Sequence, residues 1–180
     1  MRPLTTNWRS TLIIIAMAIL FLVLAIAEVM ASHEITLAGD SPTPWAIHLR
    51  HVDEALAQKN VSAARHAWQD AYGAALRSRR WEGLVEVGDA CLRMSEVTGD
   101  PKASEATARQ IYLAALFLAR QQGSLDGVLR AAEAFARLGD YEVVERGLQM
   151  AERIAAQARD VEMTHRVAEV RKRLALLARP

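Results

Sequence analysis

Two histidines raise the question of a metal site. His48 and His51 are three residues apart, a spacing that puts both imidazoles on one face of a helix, and Asp53 follows them. No spacing motif supplies the remaining ligands, and His66 falls in a different helical segment. We therefore interpret these histidines as structural residues, and we expect neither a metal site nor a cofactor.

The single cysteine, Cys91, excludes an intrachain disulfide and a zinc site built from several cysteines. It falls in the apolar register of its segment, which favours a buried, inert thiol. The sequence contains no glycine-rich phosphate loop, nucleophile motif or spaced pair of carboxylates. We therefore expect that the protein is not an enzyme and has no small-molecule substrate. An enzyme or a small-ligand binder is kept as an alternative.

The charge balance argues against nucleic-acid binding. Two of the 22 Lys and Arg residues and one of the 21 Asp and Glu residues precede residue 32, so the rest of the chain carries 20 charges of each sign. Binding to a phosphate backbone requires a basic excess, which this part of the chain lacks. Alanine is frequent and aromatic residues make up only 6 % of the sequence, a composition that favours helices.

An uninterrupted apolar segment lies near the beginning of the sequence, from Leu12 to Ala27. As a helix, residues 11–31 extend roughly 31 Å, enough to cross a hydrocarbon core of about 30 Å. Glu28 lies only one turn from the end of this stretch, where its carboxylate can reach the headgroups. We predict a membrane anchor over residues 1–31 that crosses the bilayer once.

A cleaved signal peptide is the alternative interpretation of this segment. Arg2 and Arg9 form a basic start before the apolar core, and cleavage is possible after Ala27 or after Ala31.

Both interpretations give the same orientation, because the arginines precede the segment whereas Glu28, Glu34 and Asp40 follow it. Positive residues remain in the cytoplasm. We therefore expect a single-pass protein of the inner (cytoplasmic) membrane. Its N-terminus is expected in the cytoplasm, and its C-terminal domain in the periplasm or otherwise outside the cytoplasm.

A polar linker with Gly and Pro covers residues 32–43, and helical segments then follow one another to the end of the chain. Apolar residues recur with helical spacing in these segments, and no alternating strand pattern interrupts them. We predict seven helices within residues 44–180, joined by links short enough to make neighbours antiparallel. Polar residues stand in the capping positions of five helices: Asn60, Asp100, Ser124, Asp140 and Asp160.

A spacing recurs in the second helix of each successive pair. A small or slim residue is followed after four residues by a large one and after three more by alanine. The three sets are Ala64, Trp68 and Ala71; Ala108, Tyr112 and Ala115; and Val144, Leu148 and Ala151. The small residues allow the partner helix to approach closely, and the large residue fills the gap between pairs. The first helices also align, at residues 52–56, 88–92 and 132–136, with offsets of 36 and 44 residues.

These residues resemble a tetratricopeptide repeat. The stretch "LGDYEVV" at Leu138–Val144, continued by Leu148 and Ala151, matches the turn and second helix of that repeat. Ala132 and Phe135 stand at the small and aromatic positions of the helix before it.

The resemblance extends over roughly residues 43–157 and implies an all-α fold. Together with the apolar segment near the beginning of the sequence, it predicts a transmembrane helix followed by an α-solenoid of about three helix-turn-helix repeats. Residues 161–178 then form the terminal helix that covers the last apolar face of such a stack. The helical-repeat domain is expected to occupy residues 44–180.

The resemblance also implies a binding surface, because such repeats bind peptides or partner helices on the concave face formed by their first helices. The apolar positions of that face are Leu49, Leu56, Val85, Leu92 and Leu129. Its charged positions are Asp53, Asp89, Glu133, Arg93 and Arg137. An alternative interpretation is that Asp89–Arg93 and Glu133–Arg137 are ordinary pairs within single solvated helices, four residues apart.

A basic stretch, "RSRRW" at Arg77–Trp81, has two interpretations. It can contact anionic lipid or a partner, or it can be a solvated helix end beside a packed tryptophan.

The sequence favours a membrane-anchored protein–protein interaction module, acting as a scaffold, an assembly factor or an accessory subunit of an envelope complex. Its expected partners are membrane or periplasmic proteins. The alternative is a structural subunit of a larger membrane complex, held mainly by its transmembrane helix.

Overall fold

The fold is entirely helical over residues 43–177, which are the residues that the computed structural model describes. Seven helices and no strand occur within this range, as the sequence predicts. The predicted anchor and nearly all of the predicted linker, residues 1–42, lie outside it. The helices are α1 (Ala46–Ala57), α2 (Val61–Ser78), α3 (Trp81–Thr98), α4 (Pro101–Gln121), α5 (Leu125–Arg137), α6 (Tyr141–Ala158) and α7 (Val161–Leu177).

Four of the five predicted caps begin their helices with a side-chain hydrogen bond. A side-chain oxygen of Asn60, Asp100, Ser124 and Asp160 accepts a hydrogen bond from a backbone N–H in the first turn, over 2.8–3.2 Å. Such bonds satisfy donors that a helix start otherwise leaves without a partner. Asp140 is the exception, because its carboxylate accepts a hydrogen bond from Arg109 Nε instead, at 2.7 Å.

The helices form two rows. Each helix packs on the next one in the chain, and α1, α3, α5 and α7 also contact one another in succession. Within the described range, α2, α4 and α6 make no comparable contact with one another. Because the helices of the other row, α1, α3, α5 and α7, are closer together, that row forms the concave side of the stack. We call this the first row. The arrangement is consistent with an α-solenoid-like domain.

The small residues of the repeated spacing are buried where the helices meet, as predicted. Ala64, Ala108 and Val144 are all buried in the core. Of the large residues, Tyr112 and Leu148 are buried as well. The third, Trp68, is partly exposed and donates its Nε1–H to the carbonyl of Val87 on the next helix, at 3.0 Å.

The last helix, α7, closes the apolar end of the stack. It buries Val167, Val170 and Leu174, and it packs on α5 and α6. None of the helices between residues 43 and 177 combines the length and the hydropathy that a membrane span requires.

Candidate functional site

A groove of about 510 Å³ lies on the first row, between α3, α5 and α7. Its apolar floor is made by Val85, Leu129 and Val170, and its walls are charged. We call it the first-row groove. It is lined by Trp81, Glu82, Val85, Glu86, Asp126, Leu129, Arg130, Glu133, Arg166, Glu169, Val170 and Arg173.

The predicted apolar positions divide between two cavities and the edge of the core. Val85 and Leu129 line the first-row groove but expose only 2 % and 3 % of their surface, so they are floor residues and belong to the core. Leu49 lines a smaller cavity of about 260 Å³, next to α1, with Asp53, Asp89 and Arg93. Leu56 and Leu92 are half-buried and line neither cavity.

The predicted charged positions pair between neighbouring helices. Asp53 on α1 accepts a hydrogen bond from Arg93 Nη2 on α3, at 3.0 Å. Asp89 on α3 accepts one from Arg137 on α5, at 2.5 Å. Glu133 of α5 continues the series, because it contacts Arg173 of α7. We call these three contacts the acid–arginine ladder.

These contacts between helices are found instead of the pairs within one helix, Asp89–Arg93 and Glu133–Arg137, that the four-residue spacing suggested. Asp89 pairs with Arg137 and not with Arg93, and Glu133 pairs with Arg173 and not with Arg137. The reason is the offset between adjacent first-row helices, which brings each acid opposite the arginine one turn further along the next helix. These charges therefore connect the first-row helices to one another.

Tyr112 anchors the middle of the ladder from the second row. Its hydroxyl donates to Asp89 Oδ1 at 2.6 Å, so Asp89 accepts hydrogen bonds from both Tyr112 and Arg137. Burial, and then the bond to Asp89, raise the pKa of the Tyr112 hydroxyl, so it remains a proton donor at any physiological pH.

Four residues of the site lie on α7, which the sequence indicated only as a cover, and none of them was predicted: Arg166, Glu169, Val170 and Arg173. Arg173 completes the ladder, and Glu169 precedes it by one turn. A signal was present in the sequence: Glu169 follows Glu133 by 36 residues, the same offset that separates Asp53 from Asp89. The unpredicted lining residues on the other two helices are Trp81, Glu82, Glu86, Asp126 and Arg130.

Carboxylates outnumber guanidinium groups along the first-row groove. Its arginines are already engaged, since Arg166 contacts Asp126 at 2.5 Å and Arg173 contacts Glu133. Arg130 lies 3.9 Å from a carboxylate oxygen of Glu133. The groove thus offers an apolar floor between charged walls, which suits the non-covalent binding of a polypeptide segment.

The histidines and the cysteine are placed less favourably for metal binding and for nucleophilic chemistry. The rings of His48 and His51 lie 6.5 Å apart, and no three potential metal ligands cluster within the part of the chain that the structure describes. Cys91 is buried, as predicted, and burial raises the pKa of its thiol, which disfavours the nucleophilic thiolate.

No protein-family model matches the chain, and no curated protein matches it in sequence.

Proposed function

We propose that the chain is a membrane-anchored protein-interaction module whose tetratricopeptide-like helical repeats bind a partner protein through the first-row groove. The groove is the single observation that carries the proposal. It is open along a row of stacked helices, its floor is apolar, and its walls are charged, with Glu86, Arg130 and Glu169 exposed to a partner. Binding sites for protein segments combine an apolar centre with a polar rim in this way.

The repeated spacing supports the assignment to tetratricopeptide-like repeats. The small residues Ala64, Ala108 and Val144 are buried at corresponding places of three second-row helices. The apolar run from Leu12 to Ala27 supports membrane anchoring, because residues 11–31 as a helix are long enough to cross a hydrocarbon core of about 30 Å.

Co-purification of the full chain from solubilised membranes tests the proposal. We expect the triple variant Glu86→Gln, Arg130→Gln and Glu169→Gln to lose its partner while the fold persists. All three side chains are exposed on the groove walls. The Glu86→Gln substitution keeps a side-chain oxygen for the hydrogen bond that Trp45 Nε1 donates there, at 2.8 Å. Leu129, on the floor of the groove, is not substituted in this test, because it is buried and a charged side chain at its position would unfold the domain.

A matched variant separates the groove from a general effect of charge. Asp70→Asn, Glu142→Gln and Arg146→Gln remove the same number of charges of each sign from exposed positions on the second row. We expect this variant to keep the partner. Partner binding that survives the groove variant, but is lost when residues 11–31 are replaced by an unrelated membrane span, would favour a structural subunit held by its anchor.

A further inference from the structure

A basic surface lies where α2 and α4 end and α3 begins. Three arginines belong to these two helix ends: Arg77 lies in the last turn of α2, Arg79 is its C-cap, and Arg120 lies in the last turn of α4. The side-chain amide of Gln122 donates to the backbone carbonyl of Arg79 at 2.8 Å, which ties the end of α4 to the end of α2. We call this surface the basic corner: Leu76, Arg77, Arg79, Arg80, Phe117 and Arg120.

The charge of the basic corner is largely uncompensated. Within residues 43–177, Arg77, Arg79 and Arg120 have no carboxylate at ion-pair distance, whereas Arg80 is paired with Glu82 at 2.9 Å. A single basic residue at a helix C-terminus is accounted for by the helix dipole. Three arginines without a carboxylate partner, at two helix ends that are bonded to each other, exceed that requirement, and guanidinium groups bind phosphate groups with several hydrogen bonds at once.

Two large apolar side chains that are close to these arginines in the sequence are exposed to solvent. Leu76 is 48 % exposed and Phe117 is 49 % exposed. Leu76 directly precedes Arg77, and Phe117 precedes Arg120 by one helical turn. Exposed apolar side chains flanked by arginines are typical of surfaces that lie in the headgroup region of a bilayer.

The basic corner adjoins the point where the chain enters the described domain. Trp45, just before α1, lies beneath the Arg80 guanidinium, whose central carbon is 5.7 Å from the ring centre. Trp45 also lies so close to Gly83 that a Cβ atom added there would be 2.9 Å from the indole. Residues 28–42 separate this entry point from the apolar run, and they extend at most about 54 Å.

We propose that the basic corner docks on the anionic phospholipid headgroups of the membrane in which the chain is anchored. The proposal rests on the anchoring part of the proposed function. The arginines bind the lipid phosphates, while Leu76 and Phe117 enter the headgroup layer. Docking in this way fixes the orientation of the stack relative to the bilayer.

Hydrogen exchange of the full chain in bilayer nanodiscs tests the proposal. Discs of phosphatidylcholine are compared with discs of an equimolar mixture of phosphatidylcholine and phosphatidylglycerol. We expect amides of the basic corner, in peptides that cover residues 76–82 and 117–123, to exchange about tenfold more slowly on the anionic discs, since each arginine near an anionic surface strengthens binding severalfold. The variant Arg77→Gln with Arg120→Gln removes this protection.

The matched control carries the same loss of charge at the opposite ends of the same two helices. Lys59, two residues before α2, and Lys102, in the first turn of α4, are exposed, and Lys59→Gln with Lys102→Gln leaves the protection unchanged. Equal exchange on neutral and anionic discs overturns the proposal, and so does equal loss of protection in the control variant. If alkaline carbonate releases the chain from membranes, the anchor and the docking proposal both fail. A chain that resists extraction but exchanges equally on the two kinds of disc refutes the docking alone.

Discussion

At the scale of single residues, the contact between Gly88 and Tyr112 sets the distance between α3 and α4. A Cβ atom at Gly88 would lie 2.4 Å from Tyr112 Cε1 and 2.8 Å from Cδ1. The ring cannot withdraw, because it is buried and its hydroxyl is bonded to Asp89. We expect Gly88→Ala to lower the free energy of unfolding by about 1–2 kcal/mol, since overpacking outweighs the gain in helix propensity. Urea denaturation followed by circular dichroism measures this change.

Gly73 provides the control, because it occupies the interior of α2 without a close neighbour other than a flexible side chain. The nearest atom to a Cβ added there is Arg77 Nη1, at 3.2 Å. Gly73→Ala is therefore expected to raise the free energy of unfolding by about 0.5–1 kcal/mol. If both substitutions shift stability in the same direction, the close approach of Gly88 to Tyr112 is not a determinant of the packing.

At the scale of helices, the acid–arginine ladder couples first-row neighbours that are distant in sequence. The Asp89 side chain is 24 % exposed and that of Arg137 is 45 % exposed, so solvent screens the pair only in part. A double-mutant cycle with Asp89→Asn and Arg137→Gln is expected to give a coupling of about 0.5–1 kcal/mol. The coupling should decrease as salt is added, because part of it is electrostatic.

The same measurement on Asp89 and Arg93 distinguishes the ladder from ordinary pairing along one helix. These residues are four apart on α3, but Arg93 is bonded to Asp53 of α1. A coupling near zero is expected. A stronger coupling between Asp89 and Arg93 than between Asp89 and Arg137 would contradict the ladder.

Helix boundaries could be predicted from the sequence because local chemistry decides them. Asn60, Asp100 and Ser124 cap their helices through residues only three positions away. Asp140 shows the limit of that reasoning, since its carboxylate is taken by Arg109, 31 residues earlier in the chain. Competition from a distant partner leaves no trace in the local pattern.

The charged partners of the candidate site could not be predicted from spacing alone. Asp89 has an arginine four residues later on its own helix and another 48 residues later, and both satisfy simple pairing rules. The choice depends on the offset between adjacent first-row helices, which packing determines. The role of α7 was predictable in part, because Arg173 follows Arg137 by the 36-residue offset seen earlier in the repeat.

At the scale of the whole domain, the two-row arrangement predicts that stability is transmitted from neighbour to neighbour. The last helix, α7, packs on α5 and α6 and makes no comparable contact with α1 or α2 within the described residues. In a stack, the loss of a terminal element weakens the adjacent elements first. A closed bundle around one common centre would instead lose protection everywhere.

Native-state hydrogen exchange after removal of α7 decides between these two kinds of domain. In a chain that ends after Ala158, we expect amides of α5 and α6 to exchange faster, because Val167, Val170 and Leu174 no longer cover them. Amides of α1 and α2 should keep their rates. Full-length Arg173→Gln serves as the control, since it breaks only the last contact of the ladder and should affect α5 slightly. A uniform increase in exchange that includes α1 would show that the helices share one cooperative core, and the repeat interpretation would then be wrong.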